Sequence, residues 1–151
     1  MRSSRTVPSP RRGVSDAVAP NRVADVMTTQ VTTVAPETLV AEAIQLFGEC
    51  NIRHLLVTDQ QGRLAGVFSD RDALRQMARG CDPFATRVAA LMRQEPVSVA
   101  EDTPIQDAIE LLSFHRINCL PVIDADRRVR GILTTTDLLS TLYRILNWLQ
   151  A

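Results

Sequence analysis

Lysine is absent from this chain: among its 151 residues, all 17 basic side chains are arginine. Without lysine the chain has no P-loop lysine, no kinase-type phosphate-binding lysine and no residue that can form a Schiff base with pyridoxal phosphate. Most nucleotide-cleaving chemistry and lysine-dependent pyridoxal chemistry are therefore disfavoured before any motif is considered.

Cysteine, histidine and long apolar runs are scarce as well. The three cysteines, Cys50, Cys81 and Cys119, are far apart and odd in number, which indicates neither a disulfide framework nor a zinc site. They are typical of reduced thiols, and we expect a cytoplasmic protein. No apolar run approaches the roughly 18–20 residues of a membrane span, so no membrane partner is expected. Because His54 and His115 have no triad or metal partner in view, we expect no catalytic residue, no metal and no enzyme activity.

The N-terminal segment, 1–20, is rich in Arg, Ser and Pro and has no apolar period. This composition is typical of a mobile tail. Four arginines and one aspartate give the tail a net charge of +3 and leave the remainder at −3. Since no aromatic residues alternate with the arginines, a solvated tail is favoured over a nucleic-acid-binding arm, and nucleic acid is the less favoured partner.

After the tail, the sequence repeats itself at a constant offset and without a gap. The matched positions include the pairs Val23 and Val88, Met27 and Met92, Thr38 and Thr103, Leu55 and Leu120, Gly66 and Gly131, and Asp72 and Asp137. A unit of about 60 residues buries too little surface to be more than marginally stable alone, so two copies are expected to dock on each other. We predict repeat 1 at 21–80, repeat 2 at 81–142, and an interface at the end of the last helix, 143–151.

Each repeat has the same predicted elements. A short helix, at 22–27 and again at 87–92, precedes a β-α-β-β-α unit. In repeat 1 the five elements of this unit are predicted at 31–34, 38–50, 55–58, 66–69 and from 70 onward. In repeat 2 they are predicted at 97–99, 103–114, 119–123, 131–134 and from 135 onward. The fold class is therefore α+β, with two helices on a small sheet. Thr103, Pro104 and Gln106 predict an N-cap, a first helical proline and a capping-box partner.

Two segments combine a hydroxyl with an aspartate three positions later, directly after a predicted buried strand. They are Ser69 with Asp72 and Thr134 with Asp137. Ser/Thr-x-x-Asp before an apolar run predicts a helix capping box. The same arrangement suits a phosphate-and-ribose corner, because a helix N-terminus attracts phosphate and a carboxylate accepts hydrogen bonds from a ribose diol. The spacing alone leaves both interpretations open.

The duplication and the β-α-β-β-α order occur together with residues 117–124 (Ile-Asn-Cys-Leu-Pro-Val-Ile-Asp) and with both Gly-h-h-Ser/Thr-x-x-Asp segments, where h is apolar. By these features the chain resembles a tandem cystathionine-β-synthase (CBS) domain pair, or Bateman module. The resemblance covers about residues 21–142. It implies two CBS repeats paired by pseudo-two-fold symmetry in a flat disk that often dimerises. It also implies clefts that bind AMP, ADP, ATP or S-adenosylmethionine, with no catalytic cofactor.

The resemblance further implies that each cleft joins the aspartate corner of one repeat to a base pocket from the other. One cleft would contain Ser69, Arg71, Asp72, Val97, Ile117, Asn118 and Cys119. The other would contain Thr134, Thr136, Asp137, Gln30, Thr32, Ile52, Arg53 and His54. Because the second has Arg53 and His54, it is the expected polyphosphate site, whereas Arg71 could substitute for a missing basic residue in the first.

The last helix is apolar on more than one side. One stripe contains Leu138, Leu142, Ile145 and Leu149, and further apolar side chains are Leu139, Tyr143, Leu146 and Trp148. One face can pack on its own sheet, so another is expected to meet a second subunit or a partner. We expect a homodimeric regulatory module that binds an adenine nucleotide and acts on an unidentified effector protein. The alternative is a ligand-free dimerisation or protein-interaction scaffold.

Overall fold

A computed structural model of the chain describes residues 19–151, so the expectations for residues 1–18 of the tail lie outside the described residues. A 3₁₀ helix, Val23–Asp25, precedes the elements of repeat 1, which are β1 (Thr33–Val34), α1 (Val40–Cys50), β2 (His54–Thr58), β3 (Leu64–Ser69) and α2 (Asp70–Ala78). Repeat 2 contains α3 (Val88–Leu91), β4 (Arg93–Gln94), α4 (Ile105–His115), β5 (Cys119–Ile123), β6 (Val129–Thr134) and α5 (Thr135–Gln150). The predicted α+β class is confirmed.

The strand predicted at 97–99 is reduced to a single parallel bridge between Val99 and Val122. Its counterpart in repeat 1, β1, pairs in parallel with β2 and places Val34 opposite Val57. The two pairings are related by the offset of the sequence repeat, so the two repeats have the same topology. At this position repeat 1 has a strand, β1, whereas repeat 2 has a single bridge.

The N-cap predicted at Thr103 is wrong. Helix α4 begins at Ile105, and its N-cap, Pro104, has extended backbone and no side-chain capping bond. The Thr103 hydroxyl instead accepts a hydrogen bond from the Ala100 N–H at 3.0 Å. The hydroxyl is therefore used to close the turn before the helix, and the helix starts later than the sequence pattern predicted.

The N-terminal segment of each repeat packs on the other repeat. Val88 is fully buried in a core cluster with Leu55 and Phe68 of repeat 1. Conversely, Val23 is fully buried in a cluster with Leu120 and Leu133 of repeat 2. The short first helices therefore complete each other's cores.

The exchange continues into the sheets. Strand β4 of repeat 2 pairs antiparallel with β3 of repeat 1, placing Arg93 opposite Val67. At the equivalent position, Thr28 forms an antiparallel bridge with Ile132 of β6. Each hydrophobic sheet thus gains an edge segment from the other half of the chain.

A third buried cluster lies between the two sheets. It contains Leu56, Leu64 and Val67 from repeat 1 and Cys119 and Ile132 from repeat 2. Nearby, the turns of the two hairpins are joined by backbone hydrogen bonds that link Leu64 to Arg127 and Val129 to Gly62. The repeats are therefore docked through apolar packing and through the backbone.

Helix α5 is the most exposed apolar element of this arrangement. Leu139, Tyr143 and Leu149 are each about two-thirds exposed, and no residue of the helix is buried. Within residues 19–151, no helix has both the length and the apolar character needed to cross a membrane.

Candidate functional site

Both hydroxyl-aspartate corners lie where a strand passes directly into a helix. Ser69 ends β3 opposite His54, and Thr134 ends β6 opposite Cys119. The Asp70 N–H donates to the carbonyl of Arg53 at 3.0 Å, and the equivalent bond joins residues 135 and 118. The register of each hairpin thus holds a corner beside the start of the neighbouring strand of its own repeat.

Each corner forms a complete capping box, so the capping interpretation is confirmed. Ser69 Oγ accepts from the Asp72 N–H at 3.1 Å, and Asp72 Oδ2 accepts from the Ser69 N–H at 3.2 Å. In repeat 2 the corresponding distances between Thr134 and Asp137 are 3.2 and 2.9 Å. The cap uses only Oδ2 of each carboxylate, which leaves Oδ1 for another partner.

The two Oδ1 atoms have different partners. Asp137 Oδ1 accepts a hydrogen bond from the Thr28 hydroxyl at 3.0 Å. Asp72 Oδ1 lies 3.7 Å from a guanidinium nitrogen of Arg75, one helical turn away. Among residues 19–151, Oδ1 of Asp72 is therefore held only by a loose ion pair, whereas Oδ1 of Asp137 is already hydrogen-bonded across the repeats.

Burial controls the ionisation of the two side chains beside the corners. It lowers the pKa of His54, and the neighbouring carboxylates of Asp70 and Asp72 oppose the shift only in part. It raises the pKa of the Cys119 thiol to about 12, despite the nearby charge of Arg93. Because only a thiolate is an effective nucleophile, Cys119 is chemically inert at neutral pH.

The ionisation of Cys119 is influenced by charges of both repeats. The carboxylate of Asp72 acts on the ionisation of Cys119, although the two belong to different repeats. Cys119 also packs with Val67 in the cluster between the sheets, two positions before Ser69 on β3, so the predicted first cleft has residues of both repeats at this end. Arg71 and Asn118 of the same predicted set are exposed, and Ser69 is partly buried.

The predicted apolar pocket residues contribute to the cores as well. Ile52 packs against the core of repeat 1, and Val97 and Ile117 pack against the core of repeat 2. All three are only partly buried, so each keeps an accessible surface.

The second predicted cleft is less closely assembled. Thr136 and Gln30 are exposed, and Thr32 is partly buried. Arg53 and His54 lie beside the Asp72 corner of their own repeat, and over residues 19–151 no hydrogen bond joins either of them to Asp137. The residue that reaches Asp137 from repeat 1 is instead Thr28, which the sequence did not single out.

Two open grooves lie away from the corners. One, of about 550 Å³, is lined by residues 33–37, 58–61 and 63. The other, of about 250 Å³, is lined by Thr29, Val31, Thr33, Thr58, Gly62, Val129 and Arg130. None of the residues predicted to bind ligand lines either groove, so a ligand at the corners would occupy a surface cleft. Across the described part of the chain, no cluster of three or more His, Cys, Asp or Glu side chains could hold a metal ion.

Comparison with known proteins bears directly on this architecture. The family model of the CBS domain matches residues 23–79 and again residues 88–144. The CBS domain-containing protein YhcV of Bacillus subtilis is 40% identical over 117 residues, which cover 77% of this chain and 81% of YhcV.

Solved structures agree with the sequence relatives. The CBS domain pair of MJ0100 in complex with 5′-methylthioadenosine and S-adenosyl-L-methionine superposes with a TM-score of 0.75 at 26% identity, over 80% of this chain and 94% of that one. CBSX2 in complex with AMP superposes with a TM-score of 0.73 at 31% identity, over 83% of this chain and 98% of that one. The resemblance seen in the sequence is confirmed, and this chain belongs to the CBS domain family, with two CBS domains in tandem.

Proposed function

We propose that this chain is a regulatory module that binds an adenosine-containing nucleotide, AMP, ADP or ATP, in clefts between its two CBS domains. The observation that carries this proposal is the pair of strand-to-helix corners, at Asp72 and Asp137, which lie at the junction of the repeats: Asp137 accepts a hydrogen bond from Thr28, and the strand that leads to Asp72 packs through Val67 against Cys119. The adenosine ligands of MJ0100 and the AMP of CBSX2, two proteins of the same fold, support the ligand class.

Different groups at each corner would bind the ribose, the phosphate and the adenine of a nucleotide. The Oδ1 atom of Asp72 or Asp137 would accept hydrogen bonds from the ribose hydroxyls. The N–H groups of the first helical turn, with the Ser69 or Thr134 hydroxyl, would meet a phosphate. The adenine would pack against partly buried apolar side chains such as Ile117 from the opposite repeat.

The proposed complete sites are those of the two clefts implied by the sequence. The first comprises Ser69, Arg71, Asp72, Val97, Ile117, Asn118 and Cys119. The second comprises Thr134, Thr136, Asp137, Gln30, Thr32, Ile52, Arg53 and His54. No residue in either set is proposed to be catalytic, and the bound nucleotide is expected to be released unchanged. Burial raises the pKa of the Cys119 thiol to about 12, so this cysteine is a poor nucleophile at neutral pH.

The module is proposed to act as a homodimer on a separate effector protein. The exposed apolar side chains of α5, among them Leu142 and Leu146, supply the surface for association. Nucleotide binding at the junction of the two repeats would change how they dock, and this change would be passed on through the dimer.

A ligand-free scaffold is the second candidate function, and one observation favours it. Both aspartates already form capping boxes, so helix capping alone accounts for their position. A protein with the same two corners and no ligand would still need Asp72 and Asp137 for stability.

Titration calorimetry with AMP, ADP and ATP separates the two functions. If the carboxylates bind ribose, the Asp72→Ala/Asp137→Ala double variant should lose about 1.5–3 kcal/mol of binding free energy per site, or roughly ten- to hundredfold in affinity. Asp107→Ala is the matched control, because Asp107 lies in the first turn of α4 away from both corners. Equal nucleotide affinity in the wild type and the double variant would contradict the proposal.

Denaturant unfolding of the same variants measures the capping role separately. Loss of each cap should cost on the order of 0.5–2 kcal/mol of unfolding free energy whether or not a ligand binds. A stability loss without any measurable nucleotide binding by the wild type would identify the scaffold.

A further inference from the structure

The exchanged strand β4 places an arginine on the same sheet face as the Asp72 corner. Arg93 lies directly opposite Val67, and Ser69 follows Val67 by two positions on β3. Residues that are directly opposite share a face of the sheet, and so do residues two apart on one strand. Arg93 and Ser69 are therefore diagonal neighbours, at a typical separation of about 7–8 Å, which a long arginine side chain can span.

The sheet face that carries Arg93, Val67 and Ser69 packs against the second repeat. Val67 packs with Cys119 in the cluster between the sheets, and the charge of Arg93 acts on Cys119. The carboxylate of Asp72 acts on the same thiol. Arg93 lies diagonally to Ser69 in the sheet and Ser69 is hydrogen-bonded to Asp72, so the three residues lie at the same end of the inter-repeat junction.

The equivalent position at the other corner carries a different group. Thr28 and Arg93 occupy matching positions of the sequence repeat, and each pairs with the equivalent residue of the opposite repeat, Ile132 or Val67. The Thr28 hydroxyl bonds to Asp137, whereas the exposed Arg93 has no carboxylate within 4.0 Å among residues 19–151. The Asp137 corner thus has the neutral hydroxyl of Thr28, and the Asp72 corner has the guanidinium of Arg93, which forms no ion pair within residues 19–151.

A phosphate beside an aspartate is repelled unless a cation lies nearby. The helix N-terminus at Asp70 offers partial positive charge, and the exposed Arg71 in the same turn offers a full one. Arg93 adds a guanidinium on the sheet face of Ser69, and a guanidinium can donate two parallel hydrogen bonds to phosphate oxygens. We propose that Arg93 is the specificity-determining residue of the Asp72 corner and makes that corner select the phosphorylated nucleotide over the nucleoside. This inference rests on the proposed function and adds the ligand preference of one cleft.

The test compares AMP with adenosine by titration calorimetry of the full chain. Arg93→Thr gives this position the residue that the chain itself has at Thr28, and threonine suits an exposed strand. Its AMP affinity should fall roughly ten- to hundredfold, while its adenosine affinity should stay within about twofold. Asp72→Ala should weaken both ligands and thereby identifies the binding event that belongs to this corner.

Arg128→Thr is the matched control, because it removes the same charge at the far end of the hairpins. Arg128 bridges Arg63, just before β3 begins, and β3 spans about 17 Å at roughly 3.3 Å per residue. Its affinities for AMP and adenosine should equal those of the wild type. If Arg93→Thr lowers the melting temperature strongly, Arg93→Gln keeps most of the side-chain stem and tests the same charge.

The outcomes distinguish this inference from the proposed function. A wild type that binds AMP, with unchanged AMP affinity in both Arg93 variants, overturns only the role of Arg93. Equal losses for AMP and adenosine would also overturn it, because they would show a structural effect without phosphate recognition. A wild type that binds neither ligand overturns the proposed function and the inference together.

Discussion

At the scale of single residues, the pKa of His54 shows how burial and neighbouring carboxylates compete beside the Asp72 corner. Loss of hydration lowers its pKa, and this effect exceeds the attraction of Asp70 and Asp72 for the protonated ring. His54 is therefore favoured in its neutral form in the folded protein, in which one ring nitrogen can accept a hydrogen bond.

The lowered pKa of His54 predicts a pH dependence of stability. The unfolded chain, with a histidine pKa of about 6.5, binds the proton more tightly than the folded chain. The contribution of His54 to stability is thus complete above about pH 6.5 and is lost as the pH falls from there through the folded pKa. Denaturant unfolding between about pH 7.5 and 5 should show this decline, and His54→Gln should reduce it.

His115→Gln is the control for that measurement. His115 is exposed at the end of α4, so its replacement removes the same kind of side chain without touching the Asp72 corner. An identical decline in the wild type and in His54→Gln would contradict the prediction.

Residue-level features of the site were predictable where they depend on local spacing. Ser69 and Asp72 are separated by less than one helical turn, and this spacing alone determines that both can close a capping box. The positions of Thr28 and Arg93 depend on pairing with strands that are distant in the sequence. The offset of the sequence repeat does align Thr28 with Arg93, and a comparison of the two side chains could have identified the asymmetry.

At the scale of elements, the sequence predicted the helices and hairpins but not the exchange between repeats. The apolar spacing of residues 40–50 and 105–115 marks one buried face on each of α1 and α4, whatever that face packs against. The short helices at Val23 and Val88 have too few residues to indicate a partner. Since the two repeats present similar cores, packing within one repeat and exchange between repeats are equally consistent with the pattern.

Two glycines permit the close approach of the exchanged segments. A Cβ on Gly66 would lie 2.8 Å from the carbonyl oxygen of Arg93, and one on Gly131 would lie 2.7 Å from that of Thr28. Gly66→Ala and Gly131→Ala should each lower the free energy of unfolding by roughly 1–3 kcal/mol, because backbone must move to admit the methyl group. Urea unfolding of each variant measures the loss.

Gly48→Ala is the matched control for the glycine variants. Gly48 lies inside α1, and a Cβ there would meet nothing within 4 Å. Alanine should therefore raise the free energy of unfolding by roughly 0.5–1 kcal/mol through helix propensity. Stabilisation by Gly66→Ala or Gly131→Ala as well would show that the exchanged segments are not packed tightly.

Helix α5 carries the prediction of a homodimer. Leu142 and Leu146 are about half exposed in the single chain and lie one helical turn apart. Leu142→Glu or Leu146→Glu should weaken the dimer by roughly tenfold or more, because a carboxylate would lose hydration at the interface. Sedimentation analysis over a concentration series measures the dissociation constant.

Ser140→Glu places the same charge on α5 at an exposed polar position outside the predicted interface, 143–151, and should leave the dimer constant nearly unchanged. A wild-type chain that stays monomeric at high micromolar concentration would contradict the predicted dimer. Equal weakening by all three variants would indicate a nonspecific effect of charge on the helix.

At the scale of the whole molecule, the exchanged segments predict that the two repeats fold as one unit. The core of repeat 1 is incomplete without Val88, which lies in the second half of the chain. The core of repeat 2 is incomplete without Val23, which lies at the start of the first half. Neither half contains its own complete core, and we therefore expect a change in docking at one corner to reach both halves.

Val88→Ala tests this coupling, because it removes a fully buried side chain from the core of repeat 1 while changing the sequence of repeat 2. The loss should be about 1.5–3 kcal/mol of unfolding free energy. Methyl NMR resonances of Leu55 and Leu120, one in each core, should lose their native signals at a single, equally shifted urea midpoint. Val23→Ala should shift both midpoints in the same way. If only the Leu55 signal responded to Val88→Ala, the repeats would unfold independently, and nucleotide binding at one corner would have no structural route to the other.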